Sequence, residues 1–95
     1  MQEYELMYVI NGDLDEAGVT TASERVAASI ANRGGEITDT DSWGRRRLAY
    51  PIDHHLEGVY TVLRIKINSD ALTTVERDLK LNEAVIRHLL SRPGN

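Results

Sequence analysis

Val59-Tyr60-Thr61-Val62-Leu63-Arg64-Ile65-Lys66-Ile67 is the stretch on which the fold turns. Val59, Thr61, Leu63, Ile65 and Ile67 share one side of it; Tyr60, Val62, Arg64 and Lys66 share the other. A period of two, carried by β-branched side chains, marks a strand with one face on a core. Its second face is only half polar, because Tyr60 and Val62 lie there beside two cations.

The neighbouring segments take their roles from this strand. Tyr4-Glu5-Leu6-Met7-Tyr8-Val9-Ile10 reads as a first strand, stopped by Asn11-Gly12. Asp13 or Asp15 then offers an N-cap, and Val19, Ala22, Val26 and Ile30 recur at helical spacing until Gly34-Gly35. Glu36 to Ile52 is extended. Ile37 and Trp43 share a parity that Leu48, Tyr50 and Ile52 reverse, so a one-residue bulge near Gly44 is expected to bring both sets to one face. Pro51 has no amide hydrogen and belongs at an edge or just past the pairing. Asp53 to Gly58 reads as a polar connection. After the deciding strand, Asn68-Ser69-Asp70 starts a second helix with inner stripe Leu72, Val75 and Leu79, ending near Asn82. Ala84 to Ser91 is the last strand, and Arg92 to Asn95 a frayed end.

The order is β-α-β-β-α-β, an α+β domain. Each helix has one apolar stripe, so both must lie on the same face of a four-stranded antiparallel sheet. Right-handed crossovers then place the first and third strands centrally. That is the ferredoxin-like split βαβ arrangement, expected as a single domain over residues 1–92 with a short flexible tail at 93–95. One face of its sheet has no helix, and Tyr60 and Val62 with Met7 or Leu6 would leave an apolar patch there for a protein partner, RNA or a second copy.

The 95 residues suit one domain, and 41% hydrophobic with 27% charged residues are globular proportions. The absence of Cys removes disulfides, thiolate catalysis and Cys-based zinc sites. The acidic start lacks the positive charge of a signal peptide, and no apolar run approaches the roughly 18 residues of a membrane span. These features point to a soluble cytoplasmic protein. The net charge of −4 argues against bulk nucleic-acid coating, but it is unevenly placed. Residues 1–43 carry two basic and nine acidic side chains (−7), residues 44–95 nine basic and six acidic (+3).

No pattern of catalysis emerges. Asp39 and Asp41 share a strand face without a His or Lys to complete an acid–base pair, and no Ser has a base in recognisable spacing. His54-His55 lack the spacing of a metal site and read as solvated loop side chains able to meet phosphate. No catalytic residue, metal or cofactor is expected. An RNA-recognition domain shares the strand order, yet Glu57-Gly58-Val59-Tyr60-Thr61-Val62-Leu63-Arg64 keeps only one aromatic of that family's base-stacking run.

Gly44-Arg45-Arg46-Arg47-Leu48-Ala49-Tyr50-Pro51-Ile52 carries more information. Consecutive guanidiniums on an extended segment point to alternate sides, so at least one can reach phosphate while another pairs internally. Positive gatekeepers on an edge strand would use the same residues. At Trp43 to Ile52 the chain resembles the bacterial small-subunit ribosomal protein S-six family, whose signature is Gly, basic residues, then Leu-Ala-Tyr-Pro-Ile. Tyr4-Glu5, Gly34-Gly35, Gly58-x-Tyr60 and Leu81-Asn82-Glu83-x-Val85-Ile86-Arg87-His88-Leu89 look like further landmarks, so the resemblance spans the chain.

The resemblance implies a non-enzymatic assembly protein of the small ribosomal subunit. It implies binding to the central domain of small-subunit ribosomal RNA together with ribosomal protein S-eighteen. Arg45, Arg46 and Arg47 match the motif's basic positions and Arg87 one on the last strand; with His54 and His55 they form the expected RNA-binding set. The implied partner surface lies on the sheet, at Tyr60 and Val62, and on the last segment, from Leu89 to Arg92. Gln2 and Asp53 depart from the family by replacing residues that are often basic. The rival reading from the residues alone is a self-associating ferredoxin-like regulatory or ligand-binding domain.

Overall fold

The computed structural model describes residues 1–93; Gly94 and Asn95, within the expected tail, lie outside the described residues. Strand β1 spans Gln2–Asn11, helix α1 Glu16–Asn32, β2 Glu36–Ile52, β3 His55–Ile67, helix α2 Leu72–Leu81 and β4 Val85–Ser91. A 3-10 turn at Ser69–Ala71 leads into α2. The four strands form one sheet in the order β2-β3-β1-β4, all antiparallel, as the split βαβ arrangement requires.

Alternation along β3 sets the two faces. Leu63, Ile65 and Ile67 are buried on the helix side and meet Leu6, Tyr4 and Gln2 of β1 in register. Ala22, Val26 and Ile30 of α1 and Val75 and Leu79 of α2 close the core above them. Asp15 caps α1 by accepting from the Gly18 amide at 2.8 Å. Gly34 ends that helix with φ 77°, a left-handed conformation that favours a residue without Cβ. Ser69, read from the sequence as the cap of the second helix, makes no capping bond; it lies in the 3-10 turn. The end of α2 is tied to α1, because buried Asn82 donates from Nδ2 to the Ala22 carbonyl at 3.3 Å.

Three features of β2 and β3 depart from the sequence reading. The expected bulge is present, with the register shifting between Ser42 and Gly44 and Gly44 at φ 78°. A second shift between Ile37 and Asp39 was not anticipated. It leaves Ile37 opposite core Ile65 while Asp39 and Asp41 face Arg64 and Val62, so Ile37 and Trp43 lie on opposite faces. Nor is Asp53–Gly58 a loop: β3 begins at His55, and Asp53 and His54 alone make the turn, with φ 47° and 69°. Positive φ at both central residues gives a hairpin turn whose twist matches that of the strands. Asp and His are among the non-glycine residues that tolerate it best.

The third departure concerns the sheet face without helices, which is only partly open. Pairing lapses between Arg47↔Glu57 and Ile52↔His55, so Leu48 to Pro51 form surplus length on β2. Leu48 sits against the open face near Gly58 and is 8% exposed. Tyr50 reaches as far as β4, where its hydroxyl accepts from Arg87 Nη1 at 3.1 Å. Val9 is therefore 0% exposed, although it points away from both helices.

Candidate nucleic-acid and partner interface

Two chemically distinct regions adjoin one another, a basin on the helix-free side of the sheet and the hairpin at its edge. The first is a shallow basin floored by Met7, Val62 and Leu89 and rimmed by Glu5, Asp39, Asp41 and Trp43, with Arg64 among them. Met7 pairs across the sheet with both Val62 and Leu89, which explains why three apolar side chains from three strands meet there. Leu89 is 58% exposed. Glu5 approaches Arg64 at 3.8 Å, and Asp41 accepts from Trp43 Nε1 at 2.9 Å. Asp39 has no ion-pair or side-chain hydrogen-bond partner among the described residues. With one cation against three carboxylates, the basin is negative and partly apolar.

The second region is the β2–β3 hairpin. Arg46 donates from Nε to the Trp43 carbonyl at 3.4 Å and holds its guanidinium carbon 5.8 Å from the Trp43 ring centroid. Trp43 in turn stacks on Tyr60, with centroids 6.4 Å apart and planes 14° from parallel. Arg45 points to the helix side, where Nη1 donates to the Gly12 carbonyl and Nη2 to the Leu14 carbonyl at 3.1 Å. Arg47 and His54 are exposed, with no hydrogen-bond or ion-pair partner among the described residues.

The sequence-assigned cations therefore separate into different environments. Arg46, Arg47 and His54 share the hairpin and present charge outward. His55 does not belong to a solvated loop: it lies in β3 with Nδ1 2.8 Å from Asp13 Oδ2. Arg87 lies on β4, joined to the hairpin through Tyr50. Of the expected partner residues, Val62 and Leu89 meet in the basin. Tyr60 lies beside it under Trp43, and Arg92 is apart, 5.9 Å over the Tyr4 ring. The sequence reading missed the acidic rim as part of this surface, and it missed Trp43 as an open-face residue. Both follow from the register shift between Ile37 and Asp39, for which the polar residues after Ile37 give no signal.

A split βαβ sandwich with an acidic-apolar basin beside a cationic hairpin has the surfaces of a binding module. Comparisons with known proteins agree. Residues 3–92 match the family described as Ribosomal protein S6. A relative, the small ribosomal subunit protein bS6 of Desulforamulus reducens, is 36% identical over 94 residues, covering 99% of each chain. Among solved structures, the crystal structure of 30S ribosomal protein S6 from Thermotoga maritima superposes with a TM-score of 0.90 at 29% identity, covering 96% of this chain and 86% of that one. The C-terminal domain of the MgtC protein from Mycobacterium tuberculosis shares the fold alone, with a TM-score of 0.63 at 10% identity over 95% of this chain and 85% of that one. The chain belongs to the ribosomal protein S6 family, whose members are structural proteins of the small ribosomal subunit rather than enzymes.

Proposed function

We propose that this protein binds the central domain of small-subunit ribosomal RNA as a heterodimer with ribosomal protein S-eighteen, on the ribosome in the cytoplasm. The observation that carries the reading is the separation of charge between the basin and the hairpin. Arg46, Arg47 and His54 on the hairpin favour phosphate, and Arg87 stands behind them through Tyr50. The basin between Met7, Val62 and Leu89 repels phosphate through Glu5, Asp39 and Asp41 and suits a cationic protein surface with apolar side chains. Tyr60, beside the basin, extends that partner surface, whereas Arg92 stands apart from it over Tyr4. A chain of net charge −4 has little affinity for RNA by itself, so the partner supplies much of the positive charge.

The test is a titration of a central-domain RNA fragment with this protein alone and with S-eighteen added. The partner should raise affinity strongly, and the affinity of the pair should fall steeply with salt. Equal affinity with and without partner, insensitive to salt, would sink the reading. A concentration-independent homodimer that retains no RNA would favour the self-associating alternative instead.

A further inference from the structure

The three consecutive arginines stand in three different surroundings. We infer that Arg45 is a positioning residue, which fixes the cationic hairpin on the loop between β1 and α1 and leaves phosphate contact to Arg46 and Arg47. The inference rests on the RNA-binding reading above and adds a division of labour to it.

Both η nitrogens of Arg45 are spent on protein acceptors, the Gly12 and Leu14 carbonyls, two residues apart. Those carbonyls belong to the turn before α1, outside the helical ladder. Hairpin and turn are joined at two more points. The Gly12 amide donates to the Glu57 carbonyl at 3.0 Å, and His55 meets Asp13. A Cβ on Gly12 would lie 2.6 Å from the Glu57 carbonyl carbon and oxygen, so the turn rests directly on β3 backbone. On the opposite side of the sheet, Arg46 makes only its Nε bond and leaves both η nitrogens without a protein partner among the described residues. Arg47, exposed on the same side as Arg45 by strand alternation, has none among the described residues. A guanidinium presents donors in a rigid fork that spans two acceptors, whereas an ammonium is a point charge. Holding the hairpin in its bound geometry before RNA arrives removes an ordering cost from binding.

The experiment measures affinity of the assembled heterodimer for the central-domain RNA fragment across a salt series. Arg47→Ala should weaken binding and reduce the slope of log affinity against log salt by about 1. Arg45→Ala should weaken binding roughly tenfold with that slope unchanged, as expected when donor bonds rather than a phosphate contact are lost. Arg45→Lys, whose ammonium reaches close enough to donate to one of the two carbonyls, and Arg45→Gln, whose amide stops two bonds short of them, should both weaken binding with the wild-type salt slope, Gln the more. A slope reduced by about 1 in Arg45→Gln but not in Arg45→Lys would assign Arg45 to phosphate and overturn the inference. In the free protein, Arg45→Gln should speed amide exchange at Gly12 more than Arg45→Lys does; unchanged exchange in both variants counts against the inference. If Arg45→Ala does not fold, the Gln and Lys variants carry the same comparison. A wild-type heterodimer without salt-sensitive RNA affinity strikes the RNA reading itself, and Gly12 exchange then decides the role of Arg45 alone.

Discussion

Replacing Gly58 by alanine tests how tightly the curled hairpin is seated. Gly58 lies in β3 opposite Arg46 and Asn11, on the side that Leu48 covers. A Cβ there would lie 2.4 Å from Val9 Cγ1 and 3.4 Å from Leu48 Cδ2. Carbon atoms in contact sit about 3.5–4.0 Å apart, so Val9 or the strand must move by about an ångström. Neither moves easily. Val9 is fully buried and β-branched, with few rotamers open to it, and β3 is paired on both sides. Overpacking of this kind costs about 1–3 kcal/mol, and the alanine recovers about 0.4–1 kcal/mol by restricting the unfolded chain. The net loss is about 1–2 kcal/mol, which lowers Tm by about 5–15 °C in a domain of this size. Urea and thermal unfolding followed by circular dichroism, on Gly58→Ala, Val9→Ala and the double variant, complete a cycle. Val9→Ala alone should lose about 1.5–3 kcal/mol. Adding Gly58→Ala to it should cost less than about 0.5 kcal/mol, because the obstructing methyl is gone. Additive losses around the cycle, or a Gly58→Ala protein as stable as wild type, would refute the steric argument.

Other expectations follow from the same geometry. Leu48→Ala should lose about 2–3 kcal/mol in urea unfolding, because it uncovers Val9; a loss under about 0.5 kcal/mol would mean that Leu48 does not seal the sheet. His54→Gly should stabilise the protein by about 0.5–1 kcal/mol, since φ 69° suits glycine; a lower urea midpoint would contradict the turn geometry. Asp39→Lys should leave the unfolding midpoint within about 0.5 kcal/mol of wild type yet weaken capture of a cationic partner at least severalfold, measured by calorimetry. Undiminished partner affinity would remove the basin from the interface.

The sequence made the sheet legible because a period of two across Val59–Ile67 has one physical solution, and both helices announced their single stripes. The bulge at Gly44 was legible from the parity change between Trp43 and Leu48. The bulge beside Thr38 was not, because only polar residues follow it and apolar parity cannot register a shift among them. The two-residue turn escaped because Asp53 and His54 carry positive φ without glycine. The site was half visible. Its cations stood together in the chain, but their separation depends on what lies across from each one: Gly12 and Leu14 for Arg45, Trp43 for Arg46, and Tyr50 for Arg87. Trp43 is three residues from Arg46, but the partners of Arg45 and Arg87 are 31 to 37 residues away in sequence, and no local pattern specifies them.

The sheet order has a further consequence, measured in seconds. Strand β1 is made first, yet its two neighbours are β3 and β4, which are made later. At synthesis rates of about 5–20 residues per second, Leu6, Tyr8 and Ile10 wait about 2–10 s before β3 exists to pair with them, and longer before β4 closes the other side. During that interval the most apolar strand of the domain emerges as an unpaired β-former, with only Glu3 and Glu5 alongside it to discourage association with another growing chain.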